Sequence, residues 1–292
     1  MTGPMEDGGS ASSAPPPLSQ RPSLGPDLKS RIGAGIVLAL IVVGLDWAGL
    51  APFSILLLAV GLVMSWEWSH VVRGAGTDIT FGVHALSTAA ATVLAAMGFA
   101  ALGLAAVVAG AIIVFSLQFG ERPLISATGA IYTGVPAIAL LWLRGDEPWG
   151  FWAVLFVIGV VVATDVAAFV SGRTFGGPRL APSISPNKTW SGLVGGVTAA
   201  AVAGGLFALV TGSHWPGLAA IGAVLGVIAQ AGDMAESALK RAFGVKDASN
   251  LIPGHGGFMD RADGIVAAAV AAALLALYVN PHAPAHALML LP

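Results

Sequence analysis

Nine of the 28 acidic and basic residues in this 292-residue chain fall between Asp233 and Asp263. They stand directly between hydrophobic segments, where charge is costly to place. Asp233, Glu236, Ser237, Lys240 and Arg241 recur at i, i+3, i+4, i+7 and i+8, which is one polar stripe along a helix. The stripe is acidic at its start and basic at its end, and Gly244 suits the helix terminus that follows. A solvated amphipathic helix end, held by Glu236 and Lys240 at i,i+4, would give the same spacing. Asp233 weighs against that bland reading, because it closely follows the uncharged run from Ile221 to Ala231. A carboxylate at membrane depth costs about 2.5–3.5 kcal/mol on insertion scales and usually has a functional partner.

Asp260 and Asp263, at i,i+3, project from one face of a helix start, where the dipole favours acids. Carboxylates so placed suit Mg²⁺, which prefers oxygen ligands and keeps several waters; an acidic cap on the helix is the simpler alternative. His255-Gly256-Gly257 precedes them. Paired glycines let backbone N–H groups approach a phosphate, although a turn is the commoner reason for such a pair. His255 reads as a donor to phosphate rather than a metal ligand, since no second His lies at ligand spacing. Upstream, Ser185-Pro186-Asn187-Lys188-Thr189 opens another apolar segment. Lys188, Thr189 and a helix N-terminus form a candidate anion site; an interfacial anchor built on Trp190 and Lys188 weighs equally. Asp165 interrupts an otherwise uncharged run and calls for a shared metal or a basic partner on another helix. Glu67, flanked by Trp66 and Trp68, reads as interfacial.

The elements that must position these groups are membrane helices. Hydrophobic residues make up 56% and charged residues 10% of the chain, against roughly 25% charged in a soluble domain. Apolar runs are continuous rather than alternating, which argues against a β-barrel. Nine candidate spans of suitable length lie at roughly 32–48, 50–66, 80–99, 101–119, 127–143, 149–171, 190–211, 215–238 and 264–280. The expected fold is therefore all-α and polytopic, with a polar cavity on the cytoplasmic side. Residues 1–30, rich in Pro, Ser and Gly, read as a disordered tail. Residues 31–292 read as one membrane domain whose catalytic part covers about 165–264. With the N-terminus cytoplasmic, only Arg144 of the 13 Lys and Arg residues falls on the outer side, in accord with the positive-inside rule. The absence of Cys excludes thiolate catalysis, disulfides and Cys-ligated metals. A net charge of −2 gives no reason to expect a nucleic-acid partner.

The run Ser237, Leu239, Lys240, Arg241, Lys246, Asp247, His255, Gly256, Gly257, Asp260, Arg261 and Asp263 resembles, in type and spacing, the signature of phosphatidate cytidylyltransferases, or CDP-diacylglycerol synthases. Gly232-Asp233 with Glu236-Ser237, the Ser185–Thr189 element, and Asp165 with Gly172-Arg173 are similar to that family's other motifs. The resemblance implies transfer of CMP from CTP to phosphatidate, Mg²⁺ dependence and an inner-membrane enzyme of phospholipid biosynthesis. A second, monovalent cation is left open. The partners implied are CTP, phosphatidate drawn from the bilayer and the membrane lipids around it, with a homodimer left open. Asp233 and Asp260 would hold the metal, supported by Asp263 and Asp165. Lys188, His255, Gly256 and Gly257 would bind nucleotide phosphates, and Lys240 and Arg241 the lipid head group. Ser185, Asn187, Thr189, Ser237, Lys246 and Arg261 complete the expected site. Asp260-x2-Asp263-Gly264 also starts like the CDP-alcohol phosphatidyltransferase motif, but Ala268 stands where that motif needs Arg. An ion or metabolite transporter, or an enzyme acting on another lipid phosphate, are the competing functions.

Overall fold

The computed structural model of the chain describes residues 26–74, 76–251 and 256–290. Most of the tail expected at 1–30, together with His255, lies outside the described residues. Helix α1 (Pro26–Trp47) begins inside the stretch assigned to that tail. Its first residue explains the start, since proline's fixed φ is pre-set for a first helical turn.

Seven more helices follow α1 before the last span: α2 (Leu50–Arg73), α3 (Ile79–Ala96), α4 (Ala100–Leu117), α5 (Pro123–Arg144), α6 (Gly150–Phe175), α7 (Trp190–Thr211) and α8 (Trp215–Ala242). Helix α9 (Met259–Val279) and the short α10 (Pro284–Met289) end the chain. Helices α2 to α9 are each long and apolar enough to cross a membrane, and the described apolar part of α1, Gly35–Trp47, is shorter. Large apolar side chains such as Ile112, Leu209 and Val210 point outward from the bundle, as they would against lipid. The polytopic all-α prediction holds. Two ends differ from expectation. Helix α2 runs seven residues past 66, to Arg73, where Gly74 adopts φ 68° and its N–H bonds the His70 carbonyl. Helix α9 starts at Met259 rather than 264, so its polar first turn is part of the span.

Small residues set the tightest packing. The buried face of α7 is Gly192, Gly196, Ala200, Gly204 and Ala208, an unbroken i,i+4 row. Such rows let membrane helices approach backbone to backbone where lipid offers no hydrophobic drive for association. A Cβ on Gly222 of α8 would come within 2.5 Å of the Ala200 carbonyl oxygen. This contact seats α8 on α7 and so sets the height of Asp233, eleven residues further along the same helix.

One end of the bundle gathers the polar groups. There α2 ends and α3 begins, with Arg73 paired to Asp78 at 2.9 Å. Asp78 also caps α3, accepting from the Phe81 N–H at 2.7 Å. Partial burial pushes the Asp78 carboxyl up. The hydrogen bonds from Arg73 and the Phe81 N–H, with the Arg73 charge, outweigh that and hold it below the usual carboxylate range. A lowered folded-state value means the stabilisation is present above the unfolded value of about 3.9 and is lost as pH falls through the folded value. Asp78→Ala therefore lowers stability by about 1 kcal/mol at pH 7. Thermal unfolding in detergent should show that gap closing as pH falls below the unfolded value of about 3.9.

The opposite end is tied by Arg144, which is buried and lies 2.7 Å from Asp46. It also lies 2.5 Å from Glu147. The lone basic residue expected outside thus has a structural role. The loop between α6 and α7 adds an element that the all-α expectation lacked: β1 (Arg179–Ala181) and β2 (Ser185–Thr189) form an antiparallel hairpin. Its turn contains Pro182 and its second strand Pro186, tolerable because a two-stranded ribbon consists only of edges.

Candidate active site

The hairpin hangs over the ends of α6, α8 and α9, and the space beneath it is a cavity of about 950 Å³. Strand β2 delivers Lys188 to the end of α8, with its Nζ 2.7 Å from Asp233 Oδ2. That one contact engages at most one of the three N–H donors of Nζ, so at least two remain for an anionic ligand. Ser237, one turn on from Asp233, donates to Asp233 Oδ1 at 3.4 Å. Asp233 at membrane depth therefore has the partner that its cost demanded, on a strand rather than a helix.

Lys240 is buried between two carboxylates. Its Nζ donates to Glu236 Oε2 at 2.8 Å and also to Asp260 Oδ1, joining α8 to α9. Asp260 Oδ2 accepts from the Ala248 N–H at 2.9 Å and the Gly257 N–H at 2.7 Å. Asp260 thus folds the α8–α9 connection over itself and has few lone pairs left. Asp263 lies against Glu236, one turn deeper. Glu236 Oε1 is buried without a hydrogen-bond partner. Asp165 opens into the cavity, within the field of Asp233, Lys188 and Arg261.

The structure brings most of the expected residues together. Asp165, Asp233, Asp260 and Asp263 share the cavity wall with Lys188, Lys240 and Arg261. Asn187 and Thr189 also line it, but the Thr189 hydroxyl is committed to capping α7, accepting from the Gly192 N–H at 3.1 Å. Arg241 does not line the cavity; it is exposed and donates to the Val245 carbonyl at 3.0 Å. Neighbouring helix positions point about 100° apart, so Lys240 and Arg241 cannot clamp one group together. Lys246 is exposed outside the cavity lining. Ser185 sits at the start of β2, paired with Ala181. Gly256 packs on Asp260 and Gly257 on Glu67, and neither lines the cavity.

No three His, Asp or Glu side chains among the described residues gather closely enough to hold a metal alone. Mg²⁺ is commonly held by one or two carboxylates with phosphates and water supplying the rest. The open Asp165 and the unpartnered Glu236 oxygen, beside Asp233 and Asp263, fit that mode.

Glu67 corrects the interfacial reading. Its side chain is fully buried. Oε1 accepts from Ser249 Oγ at 2.6 Å and the Phe258 N–H at 2.9 Å, and Oε2 accepts from the Met259 N–H at 2.7 Å. It caps the start of α9 from another helix, supplying acceptors to donors that a helix N-terminus leaves orphaned. A Cβ on Gly257 would collide with this carboxylate.

Residues 29–279 match the model of the Cytidylyltransferase family. The chain belongs to the cytidylyltransferase family. It is 42% identical over 263 residues to a protein named phosphatidate cytidylyltransferase from Brucella suis biovar 1 (strain 1330), covering 88% of this chain and 97% of that protein. It is 31% identical over 251 residues to the Bacillus subtilis (strain 168) protein of the same name, covering 81% and 93%. A Haemophilus influenzae protein, also of that name, is 38% identical over 162 residues, 51% of this chain and 56% of its own length.

The cytidylyltransferase match spans α1 to α9, so it takes in both the hairpin and the Glu67 contact. A second span ending at 66 leaves Glu67 just outside it, which is why the residue reads as interfacial. The signal was present, since Glu67 is followed by six more residues without a helix breaker before Gly74.

Proposed function

We propose that this chain is a phosphatidate cytidylyltransferase, forming CDP-diacylglycerol and pyrophosphate from CTP and phosphatidate. The observation that carries this is the near full-length match to proteins of that name. A cavity mixing carboxylates with cations, at one end of a membrane bundle, supports it. A lipid-phosphate oxygen attacks the α-phosphorus of CTP, a new P–O bond forms there, and the bond to the bridging oxygen of pyrophosphate breaks. The nucleophile needs no general base, because the second pKa of a phosphate monoester is about 6. The obstacle is the meeting of two anions, which is overcome by positioning and charge.

Lys188, with donors to spare beyond Asp233, holds nucleotide phosphate under the hairpin, and Arg261 screens the lipid phosphate from the start of α9. Lys240 keeps Asp260 fixed, and Asp260 in turn shapes the Ala248–Gly257 backbone. Asp233, Asp263 and Asp165 are the carboxylates that would hold Mg²⁺, whose chemistry there is to neutralise charge on the phosphates. The cavity belongs on the cytoplasmic side, because Arg73, Arg122, Arg173, Arg179 and Lys188 lie at its end of the bundle and Arg144 at the other. A transporter is less suited: Thr164 spends its hydroxyl on the Val160 carbonyl, and beyond it the inward face of α6 is Val154, Val157, Val160 and Val161, all buried and apolar.

Purified protein should release pyrophosphate from CTP only when phosphatidate and Mg²⁺ are both present, and Asp263→Asn should abolish the release. Release that ignores phosphatidate would overturn the lipid assignment, and release unchanged in the variant would overturn the role given to Asp263.

A further inference from the structure

A second hollow, of about 140 Å³, lies between α1, α2, α5, α6 and α9, with an almost wholly apolar wall. Leu38 and Val42 of α1, Phe53 and Leu57 of α2, and Leu140 of α5 line its far end. At its near end lies Arg261, which also lines the polar cavity. The two spaces therefore share one lining residue, Arg261.

We propose that this groove holds one acyl chain of the lipid phosphate, with the phosphate at Arg261. The proposal rests on the function given above. Three observations carry it. The first is continuity: a chain leaving a phosphate at Arg261 passes Phe258 and Ala262 directly into the groove. The second is length. From Met64 to Phe53 the groove follows α2 for eleven residues, about 16 Å at 1.5 Å per residue. One leaflet of the hydrocarbon core, half of about 30 Å, has nearly that depth.

The third is an unmatched donor. Tyr132 lines the groove and its hydroxyl is buried without a hydrogen-bond partner. Its ring lies tilted at 35° against Trp68, centroids 5.1 Å apart, and belongs to the cluster with Phe258, Met259 and Ala262 at the start of α9. It therefore stands at the level of Arg261, at the head of the groove. A buried phenol ordinarily has a partner. The glycerol ester of a diacyl lipid presents a carbonyl acceptor just where the chain departs from the head group, and the Tyr132 hydroxyl donates to it. Ordinary bilayer lipid can fill an apolar groove, but it places no carbonyl at a fixed point beside Arg261.

The test uses the full-length enzyme in detergent with three substrates: dioleoyl phosphatidate, dihexanoyl phosphatidate and a dialkyl ether analogue without ester carbonyls. Tyr132→Phe should lower kcat/KM for dioleoyl phosphatidate by about three- to tenfold, the size of one neutral hydrogen bond. It should leave the ether analogue unchanged. Leu57→Trp, which fills the far end, should cut the dioleoyl-to-dihexanoyl preference at least about tenfold while sparing the dihexanoyl substrate. Leu57→Ala, which removes volume rather than adding it, should keep that substrate's rate and shift preference toward longer chains. Equal losses on ester and ether, or on long and short chains, would overturn the groove as an acyl site, as would no loss on any. A wild-type enzyme inactive on all three lipids would instead overturn the parent function.

Discussion

Lys188→Met lowers turnover by about two to three orders of magnitude while the protein stays folded. The geometry sets this expectation. Lys188 is the cation that β2 brings over the α8 carboxylate, 2.7 Å from Asp233, and that single contact leaves at least two of its three donors uncommitted. A lysine serving only to pin the hairpin would spend them on the protein. Removing the charge costs a clamp on phosphate in a partly desolvated site, where such groups count for most. Asp233 is left without its counter-charge, so Lys188→Arg is the needed companion. It keeps the ion pair and should retain the fold and part of the activity, though a planar fork does not replace a point charge. Steady-state kinetics with CTP varied, beside thermal midpoints, separates the cases. A Met variant that turns over normally ends the assignment. One that loses activity only in proportion to folded protein reduces Lys188 to a strut.

Glu67→Ala should be the most destabilising change in the polar end of the molecule. It strands the Phe258 and Met259 N–H groups and the Ser249 hydroxyl, each at about 1–3 kcal/mol when buried and unpaired. Partial rescue by water brings the expected total to roughly 3–5 kcal/mol, in the range for breaking a buried charge network. Activity should fall further than stability alone explains, because the same turn carries Gly257 and Asp260. Glu67→Gln offers one acceptor oxygen in place of two and presents an amide N–H₂ to a backbone N–H, so it should rescue little. Glu67→Asp keeps both oxygens on a shorter stem and should recover part of the stability. Thermal midpoints and turnover for the three variants give the ordering. If Glu67→Ala melted with the wild type, the buried cap would carry no weight.

The membrane architecture and the core of the site were legible in the sequence for one physical reason. Charge is so costly within apolar runs that Asp165, Asp233, Asp260 and Asp263 stand out wherever they occur, and their clustering follows. What stayed hidden depends on direction rather than residue type. Lys240 and Arg241 are adjacent and alike, yet one is buried between two acids and the other faces away, bonded to Val245. Thr189 has the chemistry of an anion ligand but is spent on a helix cap. The β1–β2 hairpin was invisible because eleven residues with two prolines carry no apolar period. Glu67 was visible as a charge, but its partners lie about 190 positions away, beyond any local pattern. The groove that meets the site at Arg261 is assembled from α1, α2, α5, α6 and α9, and of its lining residues only those at the start of α9 belong to a motif.

The Glu67 cap also imposes an order on biosynthesis. Its partners follow it by 182 to 192 residues, which at about 5–20 residues per second is roughly 10–40 s of translation. For that interval an acidic side chain resides in an inserted helix with nothing to accept from. The nascent chain must keep it hydrated at the interface or protonated, and draw it inward only when the final span arrives. The catalytic end of the molecule is therefore the last part to be closed, and an early helix holds the latch.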